Sequence, residues 1–445
     1  MKKQQLTVSE LFLVASTLFG LFFGAGNIIF PVSMGQMAGA NMWLAGLGFV
    51  LTAIGLPLLG VAAMGVSHSD GVQDMSRHVS KGYSYFFTLA LYLTIGPFFA
   101  IPRTASVSFE VGLANFMSET HLGFGLWIYS FIFFGLALIL ALKPGKILDY
   151  VGKYLNPAFL IMLAIIFIVA FISPLSAVKD VTPTGEYASA PIFGGLLAGY
   201  DTMDALASLA FGIIVVQSVR QLGVDEPKRI GMETVKSGLF ALLAMALIYF
   251  CLTLLGAQSR GGFAIAENGG IAISQITTHY FGAFGTVLLA IIMFIACLKT
   301  AVGLIVACAE TFESLSQHKI SVKTWTIVST VIAFLAANIG LNNIIAYSQP
   351  VLMLLYPLAI VLILLALFDS YIKDKRLYKW VTIFTFVPAI FDFVKSLPEP
   401  VYSWLGGNGW VAVGETIFPF FTYGFGWILP AIIGLIVGLF MTKQK

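Results

Sequence analysis

Residues 22–31 read FFGAGNIIFP, in the middle of an apolar run that extends over 8–34. Two glycines and an asparagine weaken a helix at the depth where lipid demands a continuous one. Unwinding there frees backbone N–H and C=O groups that must find partners other than water. A chain that keeps such an interruption is expected to use it.

The sequence around this stretch is that of a membrane protein. Of 445 residues, 59% are hydrophobic and 10% charged, and the mean hydropathy is +0.94. A soluble domain of this size needs more charge to cover its surface. Stretches of about 20 apolar residues, each long enough to cross the hydrocarbon core, recur along the chain. Alternating ten-residue segments of the outer-membrane barrel type do not. The beginning, MKKQQLTVSELFLVASTLFG, has a basic tip. Its apolar run continues to Pro31 without a small-x-small cleavage site, so it is expected to be an uncleaved first helix. Cys251, Cys297 and Cys308 lie in apolar segments without a CxxC pair, which suggests neither a disulfide framework nor a metal site.

The hydropathy pattern predicts twelve spans, over 8–34, 42–66, 84–116, 124–142, 154–173, 191–216, 234–256, 282–312, 324–340, 344–368, 378–396 and 419–441. With the N-terminus inside, 19 Lys and Arg fall in cytoplasmic segments and 3 (Lys179, Arg260, Lys395) in outer loops. That asymmetry predicts both termini in the cytoplasm. The longest outer connection, 257–281, is expected to hold a short re-entrant or surface helix. No soluble domain or linker is apparent, so the chain reads as one integral domain over 1–445.

A second unusual stretch, GYDTMDALASLAFG over 199–212, lies in the sixth span. Breaks in spans 1 and 6 are five spans apart, an odd offset that gives matching helices opposite orientation. Interrupted spans at corresponding places in two inverted halves point to a transporter's central site. A half-helix resuming near Ile28 offers amides and a positive dipole end to a carboxylate, and freed carbonyls can take an ammonium group or a small cation. The plainer reading is that GAGN permits close helix packing.

FFGAGNIIFP, LTIGPFFAIPRTASVSFE (93–110), GYDTMDALASLAFG and ACLKTAVGLIVACAE (296–310) together resemble the branched-chain amino acid:cation symporters, the LIVCS or BrnQ-like family. The likeness spans the chain. It implies an all-α polytopic membrane protein of LeuT-type architecture with helices 1 and 6 broken. Helices 1–5 (8–173) and 6–10 (191–368) would be inverted repeats, followed by helices 11 and 12 (378–441). It implies import of leucine, isoleucine and valine with Na+ or H+ by alternating access across a bacterial plasma membrane. Carried over by position, the amides of Gly24, Ala25, Gly26 and Asn27 would hold the substrate carboxylate. Asn27 would also offer its side-chain oxygen to Na+. The carbonyls of Ala205 and Leu206 would face the substrate amine with Ser208 nearby. Phe98, Phe99, Ile101 and Phe211 are candidates for the apolar pocket, with core packing or lipid contact as the alternative for each aromatic. A second cation site would involve Gly20, Phe23, Lys299 and Thr300. The lysine stands where relatives generally carry a hydroxyl residue, so its ammonium would replace the second Na+ or exchange protons, or would pair inertly with a carboxylate.

Intramembrane charges are costly and mark functional sites by default. Arg103 is expected to pair with Glu110, two turns on along the same face, or to reach Asp201 or Asp204. Pro97 and Pro102 are expected to kink its helix. Asp204 is expected either to cap the half-helix after the second break or to serve as a cation or proton ligand. A channel would favour rings of like charge or a repeated filter, and neither is visible. HExxH, nucleotide-loop and nucleophile–His motifs are absent, and the five histidines (His68, His78, His121, His279 and His318) map to loops or span ends. The sequence thus predicts a carrier without resident cofactor, enzymatic activity, nucleic-acid binding or obligate protein partner. An amino-acid receptor on a transporter fold and an ion channel are the alternatives.

Overall fold

A computed structural model describes residues 5–67, 69, 71–142, 156–224 and 226–443. His68 and several lysines counted as cytoplasmic from the sequence (Lys2, Lys3, Lys143, Lys146, Lys153 and Lys445) lie outside the described residues. No strand occurs among the described residues.

The first half begins with α1 (Val8–Phe22) and α2 (Gly26–Ala38). Thr7 and Glu10 close a reciprocal capping box at the start of α1. Then α3 (Met42–Val50) runs through a π-turn at Leu51–Gly55 into α4 (Leu56–Val66). Next, α5 (Lys81–Leu93) is parted from α6 (Ala100–Val111) by a π-turn at Thr94–Phe98, where Gly96 leaves helical geometry beside Pro97. The proline has no N–H for the ladder, which explains the interruption. This half closes with α7 (Leu122–Leu142) and α8 (Asn156–Ile172).

The second half comprises α9 (Pro191–Tyr200), α10 (Asp204–Gln221), α11 (Pro227–Ser259), α12 (Gly269–Leu315), α13 (Val322–Ala337) and α14 (Leu341–Leu367). The re-entrant or surface helix expected over 257–281 is the beginning of α12, bent from the rest at Gly282 (φ 59°). Finally come α15 (Arg376–Lys395), α16 (Gly407–Ile417) and α17 (Ile428–Lys443). Among the described residues, seven helical stretches are long and apolar enough to cross a membrane, and shorter apolar helices cover parts of the other expected spans.

Both breaks sit slightly off their expected places. Helix resumes at Gly26 rather than near Ile28. The second interruption is at 201–203 rather than around Ala205 and Leu206, which lie in continuous helix. There Met203 takes the left-handed conformation (φ 63°), and α10 starts at Asp204 itself. Asp204 therefore follows the break and is not the residue that caps α10.

Two pairs of glycines fix the central packing. A Cβ on Gly35 would stand 2.1 Å from the Thr253 carbonyl oxygen, and one on Gly256 2.2 Å from that of Val32. Likewise a Cβ on Gly48 would stand 2.2 Å from the Ile192 carbonyl oxygen, and one on Gly195 1.9 Å from that of Ala45. Helices α2 and α11, and α3 and α9, therefore touch backbone to backbone, as membrane helices do where small residues face each other. Thr52 adds a bond to the Leu196 carbonyl (2.8 Å). Among the seven long apolar stretches the most enclosed is α14, while α7, α12 and α17 present Phe131, Phe284 and Phe440 outward. These outward faces are where a lipid-exposed surface is expected.

Replacing Gly256 by Val is expected to wedge α2 from α11 at a cost of about 1–3 kcal/mol or more. Thermal unfolding in detergent should show a lowered midpoint, and an unchanged midpoint would contradict this packing.

Candidate functional site

The first break is held by a side chain from within it. Phe23 turns extended (φ −74°, ψ 95°), and α2 starts at Gly26 without a side-chain cap. The first amides of any helix lack intrahelical acceptors. Here the Gly24 N–H donates to Asn27 Oδ1 at 2.9 Å. Asn27 Nδ2 donates to Asp204 Oδ2 (2.5 Å) and to the Tyr249 hydroxyl. The hydroxyl in turn donates to Asp204 Oδ2 (3.4 Å). All three residues are buried. Asn27 thus joins α2 to the beginning of α10 and to α11, with its side-chain oxygen and both side-chain N–H groups engaged.

The second break is held from α6. Arg103 Nη1 donates to the Asp201 carbonyl at 2.7 Å, and Nη2 points to that of Thr202 at 3.4 Å. The guanidinium lies over the Phe30 ring, 5.0 Å from its centroid, a cation–π arrangement inside the protein. It passes directly beside Gly26, where a Cβ would stand 2.8 Å from Nη2. A side chain at 26 would therefore have to displace the guanidinium from its place. Gln349 of α14 donates to both oxygens of the Asp201 carboxylate (2.9 and 3.2 Å). The Thr202 hydroxyl accepts the Asp204 N–H (3.3 Å) and donates to the Gly199 carbonyl (2.9 Å).

Two cavities adjoin this network. The smaller, about 40 Å³, lies between the two breaks. Gly24 to Asn27 line one wall, and Thr202, Met203, Asp204, Ala207 and Phe211 line another. Span 3 contributes Ile95, Ala100, Arg103 and Thr104, and α12 contributes Thr300 and Leu304. The larger cavity, about 380 Å³, opens toward the loops that follow α8, α11 and α15. That volume is typical of small-molecule sites, roughly 300–1,000 Å³. Phe30 and Asp201 line the larger cavity and Arg103 the smaller, so these three residues form the partition between them.

Several residues expected in the site lie elsewhere. Arg103 does not pair with Glu110, one of whose carboxylate oxygens is buried without a hydrogen-bond partner. Its guanidinium turns instead to the carbonyls exposed by the second break. Ser208 donates to the Ala205 carbonyl (2.7 Å) and packs against Gly60 of α4, outside the small cavity. Ala205 and Leu206 are enclosed within α10, because the break falls before them. Phe98 is 43% exposed and points away from the core. Phe99, Ile101, Gly20 and Phe23 are not among the cavity's lining residues. Thr300 faces Gly24, 3.3 Å from where a Cβ would stand, while Lys299 is half-buried on an adjoining face of α12 and does not line the cavity. Gly24, Ala25, Gly26, Asn27, Asp204, Phe211 and Thr300 do meet there. Sequence reading missed Tyr249, Gln349 and Phe30. The first two are polar groups within apolar spans, the one signal that marked them. No cluster of three or more His, Cys, Asp or Glu suited to a metal occurs among the described residues.

Residues 7–445 match the family model described as branched-chain amino acid transport protein. A branched-chain amino acid permease, BrnQ, of Lactobacillus delbrueckii subsp. lactis is 49% identical over 433 residues, 97% of this chain and 96% of the relative. The branched-chain amino acid transport system 2 carrier protein of Pseudomonas aeruginosa is 40% identical, covering 95% and 93%. Among solved structures, Mhp1, a nucleobase-cation-symport-1 family transporter closed on bromovinylhydantoin, aligns with a TM-score of 0.60 at 15% identity, covering 98% of this chain and 92% of that one. MhsT in complex with L-phenylalanine aligns with a TM-score of 0.58 at 15% identity, covering 99% of both chains. The fold is therefore LeuT-like and all-α.

The Asn27 network yields an ordering of stabilities. Tyr249→Phe removes one buried hydroxyl and should cost about 0.5–1.5 kcal/mol, whereas Asn27→Ala strips the Asp204 carboxylate of its amide donor and should cost about 1–3 kcal/mol. Thermal unfolding of the two purified variants tests this, and the reverse order would show that Asn27 does not hold the break.

Proposed function

The chain belongs to the branched-chain amino acid transport protein family, and from that premise we propose that it imports leucine, isoleucine and valine with a monovalent cation. Family membership makes it a multi-pass membrane transporter rather than an enzyme. The printed names of its relatives support the substrate class. The observation that carries the mechanism is the Asn27–Asp204–Tyr249 network joining two broken helices beside a cavity.

In this reading the substrate sits between the breaks in the bacterial plasma membrane, with both termini cytoplasmic. Its carboxylate meets the amides of Ala25, Gly26 and Asn27 at the positive end of α2. The Gly24 amide already serves Asn27, so it takes the carboxylate only if that side chain turns away. The amine faces the carbonyls of the second break. Phe211, Ile95 and Leu304 supply apolar contact for the branched side chain. The cation, Na+ or H+, associates with Asp204 near Asn27 and Thr300. Lys299 next to Thr300 would supply a fixed or exchangeable positive charge in place of a second Na+.

The partition of Arg103, Phe30 and Asp201 would separate this site from the larger cavity, which is the outer vestibule in this orientation. Moving it aside requires Gln349 to release Asp201 and the guanidinium to release two carbonyls. Halves 8–173 and 191–368 would act as inverted repeats around the site, with 378–441 outside them. One half would rock against the other to give alternating access.

Leucine uptake into proteoliposomes, with sodium and proton gradients imposed separately, tests the reading. Uptake driven by one gradient and exchange of labelled leucine without any gradient are the expected results. Absence of exchange would favour a receptor or channel. Gly26→Ala should lower uptake about 100-fold, the cost of a displacement near 1 Å at a positioning group. Ser208→Ala, facing Gly60, should leave it near wild type. Lys299→Thr should raise the sodium dependence, and no change there would remove the lysine from the ion path.

A further inference from the structure

One buried acid stands apart from the network described above. Asp392, near the end of α15, has no solvent exposure, and neither carboxylate oxygen has a hydrogen-bond partner. Its neighbour three residues on, Lys395, does not pair with it. That ammonium donates instead to the carbonyls of Phe421 (3.0 Å) and Thr422 (2.8 Å) and lies over the Phe421 ring. An ionised carboxylate left bare in a membrane protein's interior is costly beyond what the fold can offset locally, so the group must be neutral or occupied.

The surroundings favour a proton over a metal cation. Tyr200 of α9 is within range of Asp392's charge, is buried, and has a hydroxyl without a hydrogen-bond partner. The helices packed on α15 add little. In α14 the ionisable groups are Tyr347, which is exposed, and Tyr356. In α16 the only one is Glu415, also exposed, and α17 carries none before Lys443. A metal ion needs several oxygen ligands, whereas a proton needs one lone pair.

The location ties this acid to the transport path. Lys395 and Ser396, within one helical turn of Asp392, line the larger cavity. Tyr200 immediately precedes Asp201 of the second break and stacks on Tyr356, centroids 4.0 Å apart. Tyr356 in turn feels the charges of Asp201 and Asp204. We propose that Asp392 is a proton-binding site, loaded from the larger cavity, whose charge state is linked to movement of the second break. With the proton bound, Lys395 stays on the Phe421 and Thr422 carbonyls. Loss of the proton to water in the cavity leaves a carboxylate within one turn of Lys395. The ammonium then leaves those carbonyls to pair with it, loosening that wall of the cavity beside Tyr200.

Infrared difference spectroscopy of the purified full-length protein, titrated from about pH 8 to about pH 5 where a buried carboxyl takes up its proton, reads the site directly. A protonated-carboxyl band that grows with acid and is lost in Asp392→Asn is expected. Leucine uptake should vary with outer pH in the wild type, and that dependence should be lost in Asp392→Asn. The infrared arm needs no transport, so it reads the site even if the protein proves not to carry leucine. A band unchanged in Asp392→Asn overturns the proposal. So does a titration that sodium, in place of choline, abolishes through Asp392, since that marks a metal cation. Asparagine mimics the neutral acid, so a variant that fails to fold also overturns the proposal by showing that the site requires a charge.

Discussion

The rest of the site depends on the side chain of Asn27. Its oxygen holds the Gly24 amide, and its two N–H groups hold Asp204 and Tyr249. One residue therefore stabilises its own helix break and binds it to the half-helix that starts the other one. In lipid an open backbone survives only where protein groups or a cavity replace water. Asn27 supplies part of that replacement, and the small cavity beside it accounts for the rest.

Arg103 does for the second break what Asn27 does for the first. Its planar, permanently charged guanidinium can serve two carbonyls and an aromatic face together, which an ammonium does less well. The choice of glycine at 26 follows from the arginine, since the two compete for one volume. The same group forms the partition between the two cavities with Phe30 and Asp201. A residue that holds a break closed and also divides the path is well placed to couple local geometry to access.

Much of this was legible in the sequence, for identifiable reasons. The two interruptions were visible because glycine, asparagine and aspartate are out of place in apolar runs. Asn27, Asp204, Phe211 and Thr300 were found because polar or positioned groups near a break have few other uses. The errors came from register. Ala205 and Leu206 were expected to offer free carbonyls, but the chain opens at 201–203, where Met203 adopts a positive φ that a methionine does not announce. That shift of a few residues turned Ser208 toward Gly60 and enclosed Ala205 and Leu206. The Arg103–Glu110 pair was reasonable by helical spacing, yet the carbonyls freed at the second break are better partners for a buried cation. Asp392 passed unnoticed in the sequence, although an acid within a span is itself a signal.

The sequence by itself determined that this is an all-helical membrane transporter with two interrupted spans. Hydropathy and helix-breaking residues are local properties that lipid enforces wherever the chain goes. Only the tertiary structure decided which freed backbone groups meet which side chains. The groups that hold the breaks come from helices distant along the chain: Tyr249 from α11, Arg103 from α6 and Gln349 from α14. The approach of α11 to α2 depends on glycines at which an added Cβ would stand only about 2 Å from a carbonyl oxygen of the facing helix. A one-dimensional pattern records that a polar group exists within a span, but packing selects its partner, because the cost of leaving it unpaired is settled in three dimensions.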